Sequence, residues 1–174
     1  MLMLRKMLLL GLSVCLAANV FAAVEVDEED ENKPWQELEV QFPAPPQAEN
    51  LQSFHVSATT DNKFFIDMAS LSVGDDGVVR YTLLVIAPEG GRNVTFEGMH
   101  CQTRERRIYA SGRADGSWVK SRNNQWMRLQ PASVNRHHAA LFLEYFCPTG
   151  GIQRDVEAVK RALKQGGYAE TWVR

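Results

Sequence analysis

One stretch of this chain limits its fold more than any other. Val78 to Ala87 carries Val79, Tyr81, Leu83 and Val85 at alternate positions, and Leu84 and Ile86 make the end of its other face apolar as well. A strand apolar on both faces belongs in the middle of a sheet, with something covering each side. Asp75-Asp76-Gly77 precedes it, a tight turn in which glycine accepts the positive φ that hairpins require.

Its neighbours read as more strands at short spacing. Phe54 and Val56 indicate one short strand, and Lys63 to Ile66 indicate a second. Pro88 to Gly91 turns the chain into Asn93–Gln102, where Gly98 interrupts the alternation and marks a bulge. Arg107–Arg113 and Ser117–Lys120 form a hairpin around Asp115-Gly116. Such spacing argues for an antiparallel meander over βαβ units. Asn93-Val94-Thr95 matches a glycosylation acceptor but reads here as strand.

Two helices follow. From Ser133 as N-cap, Val134, His138, Leu141 and Tyr145 fall at helical spacing, widened by Phe142 and Phe146, until Pro148 and Gly150-Gly151 stop the helix. Ile152, Val156, Val159 and Leu163 predict a second helix over 152–165, with Glu157 pairing Arg161 and Gly166 ending it. Tyr168 and Trp172 would pack the C-terminus onto the body. The expected class is therefore α+β, an antiparallel meander with two C-terminal helices packed on one face.

The N-terminus sets the compartment. Arg5 and Lys6 precede an apolar run from Met7 to Ala18, and Val20-Phe21-Ala22 offers a peptidase site before Ala23. This pattern predicts a secretory leader over residues 1–22, too short to span a membrane stably, and a periplasmic product. Lipidation at Cys15 is the weaker route, because Val14 fills a slot that favours a small residue. Of the 174 residues, 152 remain after cleavage, enough for one domain with a real core. Within them no stretch is long and apolar enough to cross a bilayer. Arg5 and Lys6 leave with the leader, so 19 bases become 17 against 21 acids, a charge of −4 that gives no drive toward nucleic acid.

Two cysteines survive processing, Cys101 and Cys147. In an oxidising compartment an even pair reads as a disulfide, closing a 46-residue separation. Their distance apart, with no Cys-x-x-Cys, argues against a redox or metal pair. Residues 23–50 read as an acidic, proline-containing tail and linker. Six acids fall between Glu25 and Glu31, then Trp35, Leu38, Val40 and Phe42 supply apolar docking groups, and Pro43, Pro45 and Pro46 enforce an extended course. The folded domain is expected over 51–174.

Larger blocks carry a resemblance. Ile66-Asp67, Ser70-Leu71-Ser72-Val73-Gly74, Asp76 to Leu83 and Asn93 to Cys101 resemble a family named after the "cryptic neisserial protein". Tyr109-Ala110, Gly112, Asp115-Gly116, Trp118, Trp126 and Phe146-Cys147 resemble its later landmarks, as do Trp35-Gln36-Glu37 and the proline cluster. The resemblance covers most of the mature chain. It implies an exported envelope protein of Gram-negative, betaproteobacterial type, and it carries over no catalytic residue.

No reactive constellation emerges from the residues. His137 and His138 are adjacent, about 100° apart on a helix, and cannot chelate one ion; His55 and His100 have no paired neighbour. One helix histidine is expected near the core edge and the other exposed. No metal or cofactor is expected. No Gly-x-Ser-x-Gly elbow exists, and Asp67 reads as a turn or cap residue. Arg80 and Glu97 lie on predicted strands and would form a cross-strand pair, a candidate polar centre. Arg104, Arg106, Arg107, Arg113, Lys120 and Arg122, with Arg128 behind, form a candidate basic surface for the acidic tail or for an anionic partner in the envelope. The leading expectation is a non-catalytic binding or scaffolding domain. A small-ligand or ion binder with its groove between sheet and helices comes second, and an unrecognised envelope hydrolase third.

Overall fold

The doubly apolar strand is the centre of the sheet in the computed structural model, which describes residues 34–130 and 136–168. The expected leader, the acidic run, Ser133 and Trp172 lie outside the described residues. Seven antiparallel strands are present among those described: β1 Leu51–Ser53, β2 Lys63–Val73, β3 Val78–Ile86, β4 Arg92–His100, β5 Glu105–Gly112, β6 Trp118–Lys120 and β7 Met127–Arg128. They run in sequence order from β1 to β6, and β7 joins the other end of β5's outer edge. The meander follows from its turns: Gly77, Gly90 and Gly116 all take positive φ at the hairpins where glycine was expected.

Register assigns each side chain to a face. Val79, Tyr81 and Leu83 on β3 stand opposite Met99, Glu97 and Thr95 on β4 and face the helices. Val78, Arg80, Thr82 and Leu84 face the other way. Two irregularities interrupt this order. On β2, Met68 to Leu71 bulge out between Asp67 and Ser72. Asp67 caps the bulge by accepting from the Ala69 amide at 3.3 Å, and the Ser70 hydroxyl accepts the orphaned Thr82 amide at 3.0 Å. On β5 the bulge, at Tyr109, falls opposite Phe96 and Glu97, so it lies in the strand that pairs with β4 and not in Gly98's own strand. Gly98 leaves the room: a Cβ there would meet the Tyr109 hydroxyl at 2.3 Å.

The helical layer differs from its expected form. Among the described residues α1 covers Arg136–Ala140 and continues as a π-helical turn, Leu141–Phe146, closed by the Cys147 amide donating to Phe142 O. The widened turn buries Leu141, Phe142, Tyr145 and Phe146 together. The second helix, α2, begins at Val156, four residues later than its apolar stripe suggested, and ends at Gln165 before Gly166 at φ 83°. Gln153 accounts for the delay. Its side chain donates to Phe146 O at 2.8 Å and accepts from the amides of Arg154 and Asp155, and Asp155 then caps the helix through the Ala158 amide at 3.0 Å. Glu157 pairs with Lys160 at 2.8 Å, where Arg161 was expected. Cys101 and Cys147 are bonded and almost fully buried, tying the end of β4 to the end of the π turn. The Tyr168 amide donates to Glu144 O at 2.9 Å, which ties the residue just past the end of α2 to that turn.

The main departure lies on the other face. Contacts gather the chain from Trp35 onward into one compact unit. Residues 35–50 of the segment read as tail and linker therefore belong to that unit, whose boundary falls near 35 and not at 51. Residues 35–46 form a strap of extended chain across the face opposite the helices. Phe42 meets Phe96 and Trp118, the Trp118 indole donates to Pro43 O at 2.8 Å, and Pro45 packs at Gly116. The prolines keep the strap extended, which suits it to lie across strands without entering the ladder.

Candidate functional site

Two polar centres occupy opposite faces of the sheet. The first sits under the strap. The Glu37 carboxylate accepts from Arg107 Nη1, from Tyr109 Oη at 2.6 Å and from Trp126 Nε1 at 3.1 Å, with Arg80 Nη2 at 3.9 Å. Arg80 forks onto Asp76 at 3.0 and 2.6 Å, and Asp76 also accepts the Leu38 amide at 2.9 Å. Trp35 Nε1 donates to Asp76 O at 2.9 Å, and its ring stands edge-on to His100 and Trp126. Burial opposes ionisation of Asp76, but the hydrogen bonds from Arg80, Leu38 and Val78 outweigh it and hold its pKa low. Burial first, then the bond to Glu37, pushes the Tyr109 hydroxyl far above its ordinary range. Tyr109 therefore stays a hydrogen-bond donor at any physiological pH.

The second centre lies beneath the helices. Glu97, fully buried, accepts from Tyr81 Oη at 2.9 Å, Thr95 Oγ1 at 2.7 Å and His138 Nε2 at 2.7 Å. Burial again opposes the charge. The charge on His138 and the hydrogen bonds from His138 and Thr95 prevail, and the pKa falls to about 2. Burial, and then Glu97 itself, raises the Tyr81 hydroxyl well above its usual value. His138 Nδ1 is buried with no partner among the described residues. His137 stacks on Phe64 at 5.4 Å and lies 4.1 Å from His138, and burial and then the charge on His138 lower its pKa to about 4.

These centres correct the expected pairing of Arg80 with Glu97. Tyr81 stands opposite Glu97 and Arg80 opposite Gly98, so the pleat sends the two charges to opposite faces. Each found another partner, Asp76 for Arg80 and His138 for Glu97. Of the two helix histidines, His138 is buried and His137 is partly buried, so neither is fully exposed. The basic surface also divides. Arg106 faces the helical layer beside Glu97, and Arg104 lies over the Phe142 ring at 5.9 Å. Arg107 is taken up by Glu37 on the strap side, where Lys120 lines the same shallow cavity. Arg113 lines a separate cavity at the hairpin end, while Arg122 and Arg128 are exposed. The one-residue alternation of β5 separates Arg106 from Arg107, so no single surface holds all six.

Sequence reasoning missed Glu37, Asp76, Tyr109 and Trp126 as a set. The Leu38–Val40–Phe42 alternation, with Glu39 and Gln41 between, hinted that the tail has apolar groups to dock. Among the described residues no cluster of histidine, cysteine and acidic side chains is arranged to hold a metal ion, and no helix is long and apolar enough to cross a membrane.

Architecture and sites together define a single-disulfide α+β domain, its antiparallel sheet covered by helices on one side and by a strap on the other. The chain belongs to the CNP1-like family, whose model matches residues 30–164, including the whole strap. No curated protein and no solved structure matches it.

Proposed function

We propose that the chain, after losing its leader, works in the periplasm as a non-catalytic domain that binds or scaffolds another component of the envelope. The strap is the observation that carries this reading. Trp35 and Leu38 keep 48% and 47% of their surface exposed although both are pinned to Asp76, one by its indole and the other by its backbone amide. Ile152, 45% exposed, packs against Gly77 of the same turn. Apolar groups held in place at a surface lose little freedom on binding, and tryptophan is enriched where partners make their strongest contacts. Lys120, Arg122 and Arg128, exposed on or between the outer strands β6 and β7, add positive charge that suits an acidic rim on the partner.

The test is site-specific photocrosslinking in intact cells, with the reactive residue placed at Leu38 or, as a control on the helical side, at Leu143. The reading expects a discrete adduct from position 38, weakened by Lys120→Glu with Arg122→Glu, and none from 143. No adduct from 38, or the same adducts from both positions, removes it. The compartment has its own check: intact mass of the protein from a periplasmic fraction should begin at Ala23, and a leader-bearing cytosolic form contradicts that assignment.

A further inference from the structure

A cavity of about 390 Å³ opens between the 56–62 loop, the β2–β3 pair and the start of α1. It lies at the Phe64–Val85 end of the sheet, whereas Trp35 and Leu38 attach at the 74–77 turn, the other end of β3. Its volume is within the range of small-molecule sites, about 300–1,000 Å³. Phe64, Val85 and Val56 contribute apolar lining and Thr59, Thr60 and Asn62 polar lining, with the Thr60 hydroxyl accepting the Asn62 amide at 3.3 Å. A separate hollow of about 260 Å³, lined also by Lys63, shares Val56, Ser57, Thr60, Asn62 and Phe64 with it.

Charge defines what the groove accepts. Arg136 lines it, is exposed, and makes no ion pair among the described residues. No acidic side chain is among the described residues that line it. His137 forms the remaining wall, its ring fixed by stacking on Phe64. Burial and the neighbouring His138 keep that imidazole neutral at pH 7, so it offers a polar contact without a second positive charge. One guanidinium beside a neutral ring matches a single negative charge better than a dianion, and the planar fork of arginine matches a carboxylate.

We propose that this groove binds a small organic carboxylate, with Arg136 on the carboxylate, Asn62 and Thr60 orienting the adjoining polar atoms, and the apolar body over Phe64 and Val85. The site goes beyond the partner-binding role above and does not depend on it. It assigns a ligand class to residues that the strap does not touch.

Solution NMR of the mature, nitrogen-15-labelled protein tests it. The probes are N-acetylalanine and N-acetylleucine, their primary amides, and inorganic phosphate. At least one acid should give saturable shifts at the Asn62 and His137 amides, with its primary amide binding at least tenfold more weakly. Arg136→Gln should weaken the acid tenfold or more and leave the thermal midpoint unchanged. Absence of saturable shifts with both acids, equal binding of acid and amide, or an unaffected Arg136→Gln variant overturns the site. Phosphate binding as tightly as the acids overturns the carboxylate class. Because Trp35 and Leu38 lie at the other end of β3, failure here leaves the crosslinking result standing, and the reverse also holds.

Discussion

The buried Glu97 should make stability fall steeply in acid, and the size of that fall follows from its surroundings. Its pKa drops from an ordinary 4.5 to about 2 because His138 and the Thr95 hydroxyl favour the ionised form more than burial disfavours it. On acidification the unfolded chain then takes up the proton first. The stabilisation is complete above pH 4.5, shrinks as pH falls toward 2, and is gone below that. A gap of about two and a half pH units corresponds to about 3 kcal/mol, a large part of what holds a domain of this size together. His137 acts in the same sense over a higher window: its pKa of about 4 lies below the ordinary 6.5, so its neutral form stabilises the fold above pH 6.5 and that contribution is lost between 6.5 and 4. The assay is urea unfolding from pH 7 to pH 2 on the wild type and Glu97→Gln. At pH 7 the variant should be less stable by about 3 kcal/mol, and the difference should close between pH 5 and pH 2. Parallel curves over that interval would refute the reasoning, because they would leave Glu97 with the same proton affinity folded and unfolded.

Other perturbations separate the remaining layers. Glu37→Ala strands Arg107, Tyr109 and Trp126 under the strap and should cost about 2–3 kcal/mol in chemical unfolding, less than a fully buried pair because Arg107 keeps some solvent; Glu37→Gln should cost roughly half as much. Gly98→Ala drives a methyl into the Tyr109 ring and should lower stability by about 2–3 kcal/mol, measured by thermal unfolding, although the backbone conformation there suits any residue. Replacing Cys101 and Cys147 together by serine reopens a 46-residue separation and should cost about 4 kcal/mol, while the native pair should resist mild reductant until the protein unfolds, as followed by thiol labelling.

What the sequence disclosed and what it hid follow from the range of the physics involved. β3 was legible because alternation and the Asp76-Gly77 turn are local, and the disulfide because Cys101 and Cys147 are the two cysteines outside the expected leader and so have one pairing. The Arg80–Glu97 pair failed on parity: a register in which Tyr81 opposes Glu97 turns Arg80 to the other face. His138 meets Glu97 across 41 residues and Arg107 meets Glu37 across 70, separations at which spacing carries no signal. Pro43, Pro45 and Pro46 read as a linker because their local preference is the same whether the chain is solvated or laid across a sheet. The second face of β3, apolar and in need of cover, pointed to a layer there. The helix starts shifted for a related reason, since Gln153 spends its side chain on backbone groups that a longer helix would have used.

That the strap is a structural layer is the claim on which the partner-binding role depends, and three indole protons report on it directly. Trp35 Nε1 donates to Asp76 O, Trp118 Nε1 to Pro43 O and Trp126 Nε1 to Glu37, so each bond exists only while residues 35–46 lie on the sheet. Hydrogen exchange at these indoles should show one shared opening free energy, lowered in all three by Glu37→Ala. Unprotected exchange at all three, or unrelated values that ignore Glu37→Ala, would mean the strap is a tail after all.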